Sequence, residues 1–375
     1  MASVPVKRLL FIAEHFAIAN SGAENDLVTL CQALVKRGHE LHVASETHDK
    51  LEGITPHRGL ANVKRIVDAV KPDIIIDWGF FCQADIHRIG GGVHEHFQRY
   101  SIQAYPPILR PFKRLEGQIS RKHQKQAARE KKILANKSAT FLPISDFVAR
   151  QLYESGVAES AVTVLYNGVD TSRYNNEPAP ETRKKLRGQW GVSQDDTVFL
   201  FIAHNLKLKN LKLLHRVFNA LYNYGYTSLK LVVIGKRAPK FTSPYLIYGG
   251  ATKRIEECYM AADGLLHPTY YDAFANVVLE AMSCALPVVV SNHAGVCELI
   301  KPGVNGMVLP VIPGSQARTQ WISAVKSLVD NPEQAKKLGS AARETALQHD
   351  YEQYVDRFEE IIHRKARFKK AVSEN

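Results

Sequence analysis

Short apolar runs rich in β-branched residues alternate with helix-period segments along almost the whole chain. LLFIA (9–13) precedes a helical pattern over 23–38, then ELHVAS (40–45); DIIID (73–77), ATFLPI (139–144) and VTVLY (162–166) are further predicted strands. Strands of this kind separated by helices predict parallel sheets covered by helices on both faces. The pattern restarts after the polar stretch TSRYNNEPAPE (171–181), with TVFLFIA (197–203), LKLVVIG (229–235), GLLHP (264–268) and PVVVS (287–291) as strands of a second sheet. The expected fold class is therefore α/β, with two doubly wound domains, 1–170 and 171–350, facing each other across a cleft. In open α/β sheets ligands sit at the carboxyl ends of the strands.

Composition narrows the class without choosing a function. A chain of 375 residues suits two domains, and 45% apolar with 23% charged residues excludes a mostly disordered protein. No apolar run reaches the roughly 18 residues that span a bilayer. The apolar part of KRLLFIAEHF is too short for a signal sequence, so a cytoplasmic location is expected. Five scattered cysteines with no CxxC pair argue against a disulfide framework or a zinc site. A net charge of +12 calls for an anionic partner: nucleic acid, a membrane surface or a phosphorylated small molecule.

The densest chemistry lies in HPTYYDAFANVVLEAMSCALPVVVSNHAGVCELIKPGVNGMVLP (267–310). A strand ends at His267, a helix is predicted from about Phe274, and Asp272 and Glu280 fall eight residues apart, roughly 12 Å along a helix axis. Carboxylates accept from sugar hydroxyls, and helix N-terminal amides donate to phosphate oxygens. Upstream, AHNLKLKNLKLLHRVFNAL (203–221) places Lys207 and Lys209 after a strand, where ammonium groups can stabilise charge growing on a diphosphate leaving group. QADIHRIGGGVHEHFQRY (83–100) sets three glycines before His94 and His96. Neither GxGxxG nor GxxxxGK[ST] occurs, which counts against a dinucleotide oxidoreductase and a P-loop NTPase.

These segments resemble the retaining family-4 glycosyltransferases of the GT-B fold, in particular those of the lipopolysaccharide core. The family's E-x7-E motif corresponds to Asp272 through Glu280, its basic pair to Lys207 and Lys209, and its Gly-Gly-Ala-Glu turn to the stretch around Gly22. The resemblance covers residues 8 to about 345. It implies two Rossmann-like domains, a C-terminal helix (351–375) packing back on the first, and transfer of a hexose from a nucleotide sugar, a UDP-sugar such as UDP-glucose, to a saccharide or glycolipid acceptor. It implies a donor site made of Gly22, Lys207, Lys209, Asp272, Ala273, Phe274, Asn276, Val277 and Glu280, with His94, Lys209 and Asp272 catalytic, no cofactor and no metal. Arg88 is a lesser phosphate or acceptor contact. The chain departs from its relatives in having Asp at 272, Ala285 before LPV, and Asn210 where Gly is usual.

Residues 108–135 form one long predicted helix, with nine Lys or Arg against two Glu from Arg110 to Lys132. With Leu109, Phe112, Leu115 and Ile119 this reads as an amphipathic basic segment binding the anionic inner face of the cell membrane. It lacks interleaved aromatics and any recognisable module for nucleic acid, so that partner is not expected. The alternatives are a nucleotide-sugar epimerase of the same fold, a phosphorylase, and a non-catalytic glycan- or membrane-binding module.

Overall fold

Leu9, Leu10, Phe11 and Ile12 are fully enclosed, and so are Ile74 and Ile76 beside them. Burial on both faces is what makes an uninterrupted apolar run stable as a parallel strand. In the computed structural model, which describes residues 7–17, 22–312 and 315–373, these runs are strands of a six-stranded sheet. Its members are β1 (Arg8–Ile12), β2 (Glu40–Ser45), β3 (Ile54–Arg58), β4 (Ile74–Asp77), β5 (Ile86–Ile89) and β6 (Thr140–Pro143). All pair in parallel, in the order 3-2-1-4-5-6. The helices along this part of the chain are α1 (Gly22–Lys36), α2 (Val63–Val70), α3 (His94–Ser101), α4 (Arg110–Ile119), α5 (Arg121–Leu134) and α6 (Asp146–Glu154), of which α3 and α4 are divided between two units.

A second parallel sheet repeats the plan. Its strands are β7 (Thr197–Ile202), β8 (Leu229–Ile234), β9 (Leu246–Gly250), β10 (Gly264–His267), β11 (Val288–Ser291) and β12 (Met307–Leu309), in the order 9-8-7-10-11-12. Helices α7 (Pro180–Trp190), α8 (Leu211–Asn223), α9 (Ile255–Ala261), α10 (Asn276–Ser283), α11 (Ser315–Asp330) and α12 (Pro332–Leu347) accompany it. Phe199, Phe201, Leu214, Phe218 and Trp321 form the heart of one core cluster there. In both sheets the first strand lies beside the fourth, so successive connections leave in opposite directions. That is the topological switch point at which such sheets bind ligands.

The chain divides into two units, Met1–Phe97 with Leu115–Asn167 and Glu352–Asn375, and Gln98–Arg114 with Gly168–Tyr351. The last helix, α13 (Tyr351–Ser373), lies mostly in the first unit: Phe358 stacks on Phe11 at 6.3 Å, and Arg37 pairs with Glu352, Asp356 and Glu359. Residues 98–114 belong to the second unit, where Tyr100 packs on Tyr271 and His293.

Several local expectations change. VTVLY is no strand: it makes one bridge, Val162 to Phe141, because Pro143 has no N–H to return a bond. The long basic helix is two helices, broken at Ser120, whose ψ of 115° is extended. The helix expected from Phe274 starts at Asn276, because Ala275 takes a left-handed φ of 76°. Four strands escaped the apolar-run criterion, since ITPHR, IHRI and LIYGG are polar or glycine-containing and MVL is short.

Ala285 sits at φ 57°, a conformation that a Cβ disfavours and that glycine adopts freely. Ala285→Gly should therefore stabilise the second unit by about 1 kcal/mol, measured as a rise in the urea midpoint at unchanged slope. Gly339→Ala should do the reverse and cost more, because its Cβ would lie 2.0 Å from the Ala285 carbonyl oxygen.

Candidate active site

The loop after β7 and the loop after β10 meet at the switch point of the second sheet, since those two strands are neighbours. The first loop is a turn that ends on Asn210, held at φ 63°. Asn is one of the few side chains at ease there, which is how it stands in for glycine. The turn delivers Lys209, whose Nζ forms an ion pair with Asp272 Oδ2. Asp272 is fixed from both sides of its backbone: its N–H donates to the His293 carbonyl and its own carbonyl accepts from Gly295 N–H, each at 3.0 Å. Its Oδ1 accepts from Phe274 N–H at 3.3 Å. His267, the last residue of β10, brings Nε2 to 3.1 Å from Asp272 Oδ2.

Burial opposes ionisation of Asp272, but the Lys209 ammonium and the His267 imidazole outweigh it and hold the carboxyl well below its ordinary range. Burial pushes His267 down, against the pull of Asp272, so the imidazole is neutral and donates Nε2–H. Its Nδ1 is buried without a hydrogen-bond partner.

Glu280 lies on the second turn of α10. Because 272–275 are not helical, only the four steps from Asn276 to Glu280 follow the helical rise, roughly 6 Å. Tyr259 O–H donates to Glu280 Oε2 at 2.7 Å. Burial raises the Glu280 pKa; the Tyr259 bond and Arg173 counteract it, while Glu256 adds to it. Arg173 itself is 2.9 Å from Glu256. Ala273 and Phe274 are buried, and Asn276 and Val277 are half-buried at the start of α10.

The family pattern "Glycosyl transferases group 1" matches residues 182–345, and "Glycosyltransferase Family 4" matches residues 20–173. The chain belongs to the family-4 glycosyltransferases. It is 29% identical over 172 residues to an uncharacterised glycosyltransferase of Methanocaldococcus jannaschii, covering 42% of this chain and 44% of that protein. It is 25% identical over 219 residues to the D-inositol 3-phosphate glycosyltransferase of Rhodococcus opacus, covering 54% of this chain and 47% of that protein. The chain thus spans about half the length of the curated relatives it matches. Its fold is that of WaaG, a glycosyltransferase involved in lipopolysaccharide biosynthesis, with a TM-score of 0.78 at 18% identity, covering 94% of this chain and 99% of the other. Anabaena HepE, solved with UDP and glucose, gives 0.71 at 16% identity, covering 95% and 99%. The fold is GT-B, two Rossmann-like domains.

Within this family-4 glycosyltransferase the other nominated residues fall variously. Lys207 does not join Asp272; its Nζ lies 3.1 Å from the centre of the Tyr105 ring. Gly22 opens α1, and its surroundings lie outside the described residues. His94 opens α3 in the first unit, its Nε2 2.8 Å from His123 Nδ1. His96 is 3.7 Å from Glu154. Arg88 is corrected as a ligand contact: it is 1% exposed and its guanidinium serves the Leu142 and Leu165 carbonyls and Asn167 Oδ1. Among the described residues, His39, Glu359 and His363 have metal-ligand spacing. There His39 Nδ1 accepts from Lys7 N–H, so Nε2 carries the proton it gives Glu359, and Arg37 holds the other carboxylate oxygen. That group is an ion-pair latch for α13.

His267, Tyr259 and Tyr105 were not foreseen. His267 had a usable signal, a polar residue at the ligand-facing end of an apolar strand; the tyrosines had none.

The raised Glu280 pKa gives a signed prediction. A carboxyl whose folded pKa exceeds its unfolded one adds stability below the ordinary value, near 4.5, and loses it as pH rises. Glu280→Gln should raise the urea midpoint at pH 7 to 8, and the gain should vanish below about pH 4.5.

Proposed function

We propose that this enzyme transfers a hexose, glucose or a close analogue, from a UDP-sugar to a cell-surface glycan or lipopolysaccharide-core acceptor, with retention of configuration and without a metal. The observation that carries the reading is the Lys209–Asp272 pair at the switch point, with Glu280 on the helix that follows. Lys209 supplies positive charge where a diphosphate leaves, and charge that develops only on bond breaking is what a fixed ammonium stabilises best. In this reading the diphosphate takes Lys209 from Asp272, freeing the carboxylate for sugar hydroxyls. Glu280 accepts from ribose hydroxyls and holds the nucleoside end. His94 acts at the sugar. The presence of UDP and glucose in the Anabaena relative supports a UDP-sugar donor.

The acceptor reading draws on α4 and the residues before it. Ile108, Leu109, Phe112, Leu115 and Ile119 are 77%, 44%, 69%, 55% and 66% exposed, and Arg110, Lys113 and Arg114 stand among them. No helix among the described residues is long and apolar enough to cross a membrane. An apolar face ringed by cations suits peripheral binding to anionic lipid, next to a lipid-anchored acceptor.

Lys209→Ala should cut acceptor-free hydrolysis of UDP-glucose by about 100-fold or more. Full activity after replacing both Lys209 and Glu280 by Ala would overturn the site. Vesicles containing phosphatidylglycerol should bind the protein at low salt, and Phe112→Ser with Ile119→Ser should weaken that binding about tenfold or more. Equal binding by the variant, or none by the wild type, would refute the membrane reading.

A further inference from the structure

Three consecutive glycines, Gly90 to Gly92, lie two residues before His94 and give the backbone freedom there. Val93 N–H is tied to Gln151 Oε1 at 3.1 Å, and two contacts to His94 come from α5. His94 Nε2 is 2.8 Å from His123 Nδ1, and the two rings stack with centres 4.9 Å apart and planes at 25°. The His94 backbone N–H donates to Glu130 Oε2 at 2.9 Å. Glu130 is 3% exposed, and Gln126 donates to its other oxygen at 3.1 Å. His123 and Glu130 are about two helical turns apart and so share one face of α5.

We infer that His123 is a positioning residue for sugar transfer: it sets the ring plane and the proton position of His94, while Glu130 anchors the backbone beneath it. This rests on the reading of His94 as an active-site residue. A bond between two imidazole nitrogens needs one to carry a proton and the other to be bare. The bond therefore ties the tautomer of His94 to that of His123, and the stacked ring fixes its plane. Burial, helped by His123 and Lys122, holds His94 below the usual imidazole range, which favours the neutral ring that such a bond needs. Nothing in the sequence links His94 to a residue 29 positions on. The consequence is that the most cationic helix of the first unit is also the wall against which an active-site imidazole is set.

The test uses the full chain and UDP-glucose as probe, with acceptor-free hydrolysis and ¹⁵N signals of the His94 ring as readouts. His123→Phe keeps the stacked ring and removes the bond; His123→Asn keeps a polar atom near the place of Nδ1. We expect the Phe variant to lose about tenfold in kcat with KM within twofold, as a small misplacement of a reacting group does. The Asn variant should recover most of that loss. In a His94→Ala background, His123→Phe should change nothing further. The His94 ring should show one tautomer in the wild type and a mixture in the Phe variant. If the Phe variant melts early, His123→Gln, whose amide lies beyond the Nδ1 position, takes its place. Wild-type kcat with a single tautomer in the Phe variant overturns the inference, as does equal impairment of Phe and Asn variants at unchanged melting temperature. Full activity of His94→Ala would instead remove the reading of His94 on which it rests, whereas an inactive His94→Ala beside a fully active His123→Phe removes only the inference.

Discussion

The ion pair between Lys209 and Asp272 depends on the order of strands in the second sheet. Its two residues are 63 positions apart in sequence, and only the adjacency of β7 and β10 brings their loops together. The connections that leave those strands diverge, one towards β8 and the other towards β11, so the loops part above the sheet. A charge of each sign is set at that parting. Each charge offsets the cost of the other there: burial opposes ionisation of the carboxylate, and the ammonium and the His267 bond counter it. The pair is thus the mutual neutralisation of two charges that the strand order brings together.

Backbone conformation supports that arrangement at some energetic cost. Asn210, Ala275 and Ala285 all have positive φ, and all border the site or the helix that follows it. Asn210 ends the turn that carries Lys209, and Ala275 prevents α10 from reaching back over Asp272. Ala275 also leaves 272–275 extended enough to pair with 293–296, where Val296 N–H donates to the Phe274 carbonyl. Two of these positions looked in sequence like departures from a glycine pattern. The geometry gives them one meaning: the left-handed conformation is kept although the glycine is not, and Asn bears this better than Ala.

How much could be read beforehand follows from range. Strands such as β1, β4, β7 and β11 were legible because burial on both faces writes an apolar run into the sequence. β3 and β5 were not, because ITPHR and IHRI carry polar side chains whose partners lie on other elements; His87, for one, is enclosed and bonds Asp77 at 3.0 Å. Asp272, Glu280 and Lys209 were legible through spacing and family resemblance. His267 was quoted only as the end of a strand, since its role depends on a carboxylate folded back over it. The grouping of residues 98–114 with the second unit was invisible for the same reason: Tyr100 meets Tyr271 and His293, far along the chain.

The break at Ser120 matters more than the continuous helix it replaces. A single helix over 108–135 would rotate its apolar residues about one axis and present charge and apolar surface together. Split in two, the segment divides the work. None of the residues of α4 is buried, and its apolar side chains are left in solvent, whereas α5 encloses Glu130 and Ile133. The charges of α5 are therefore carried on an element fixed to the first sheet's surroundings, with Arg129 over the Phe81 ring and the Lys132 carbonyl bonded to Gln83. One helix is anchored and contacts His94 through His123 and Glu130; the other is joined to it by an extended residue and leaves its apolar side chains exposed. The net charge of +12 is thus distributed unevenly over this segment: α5 carries its cations on an anchored element, α4 among exposed apolar side chains.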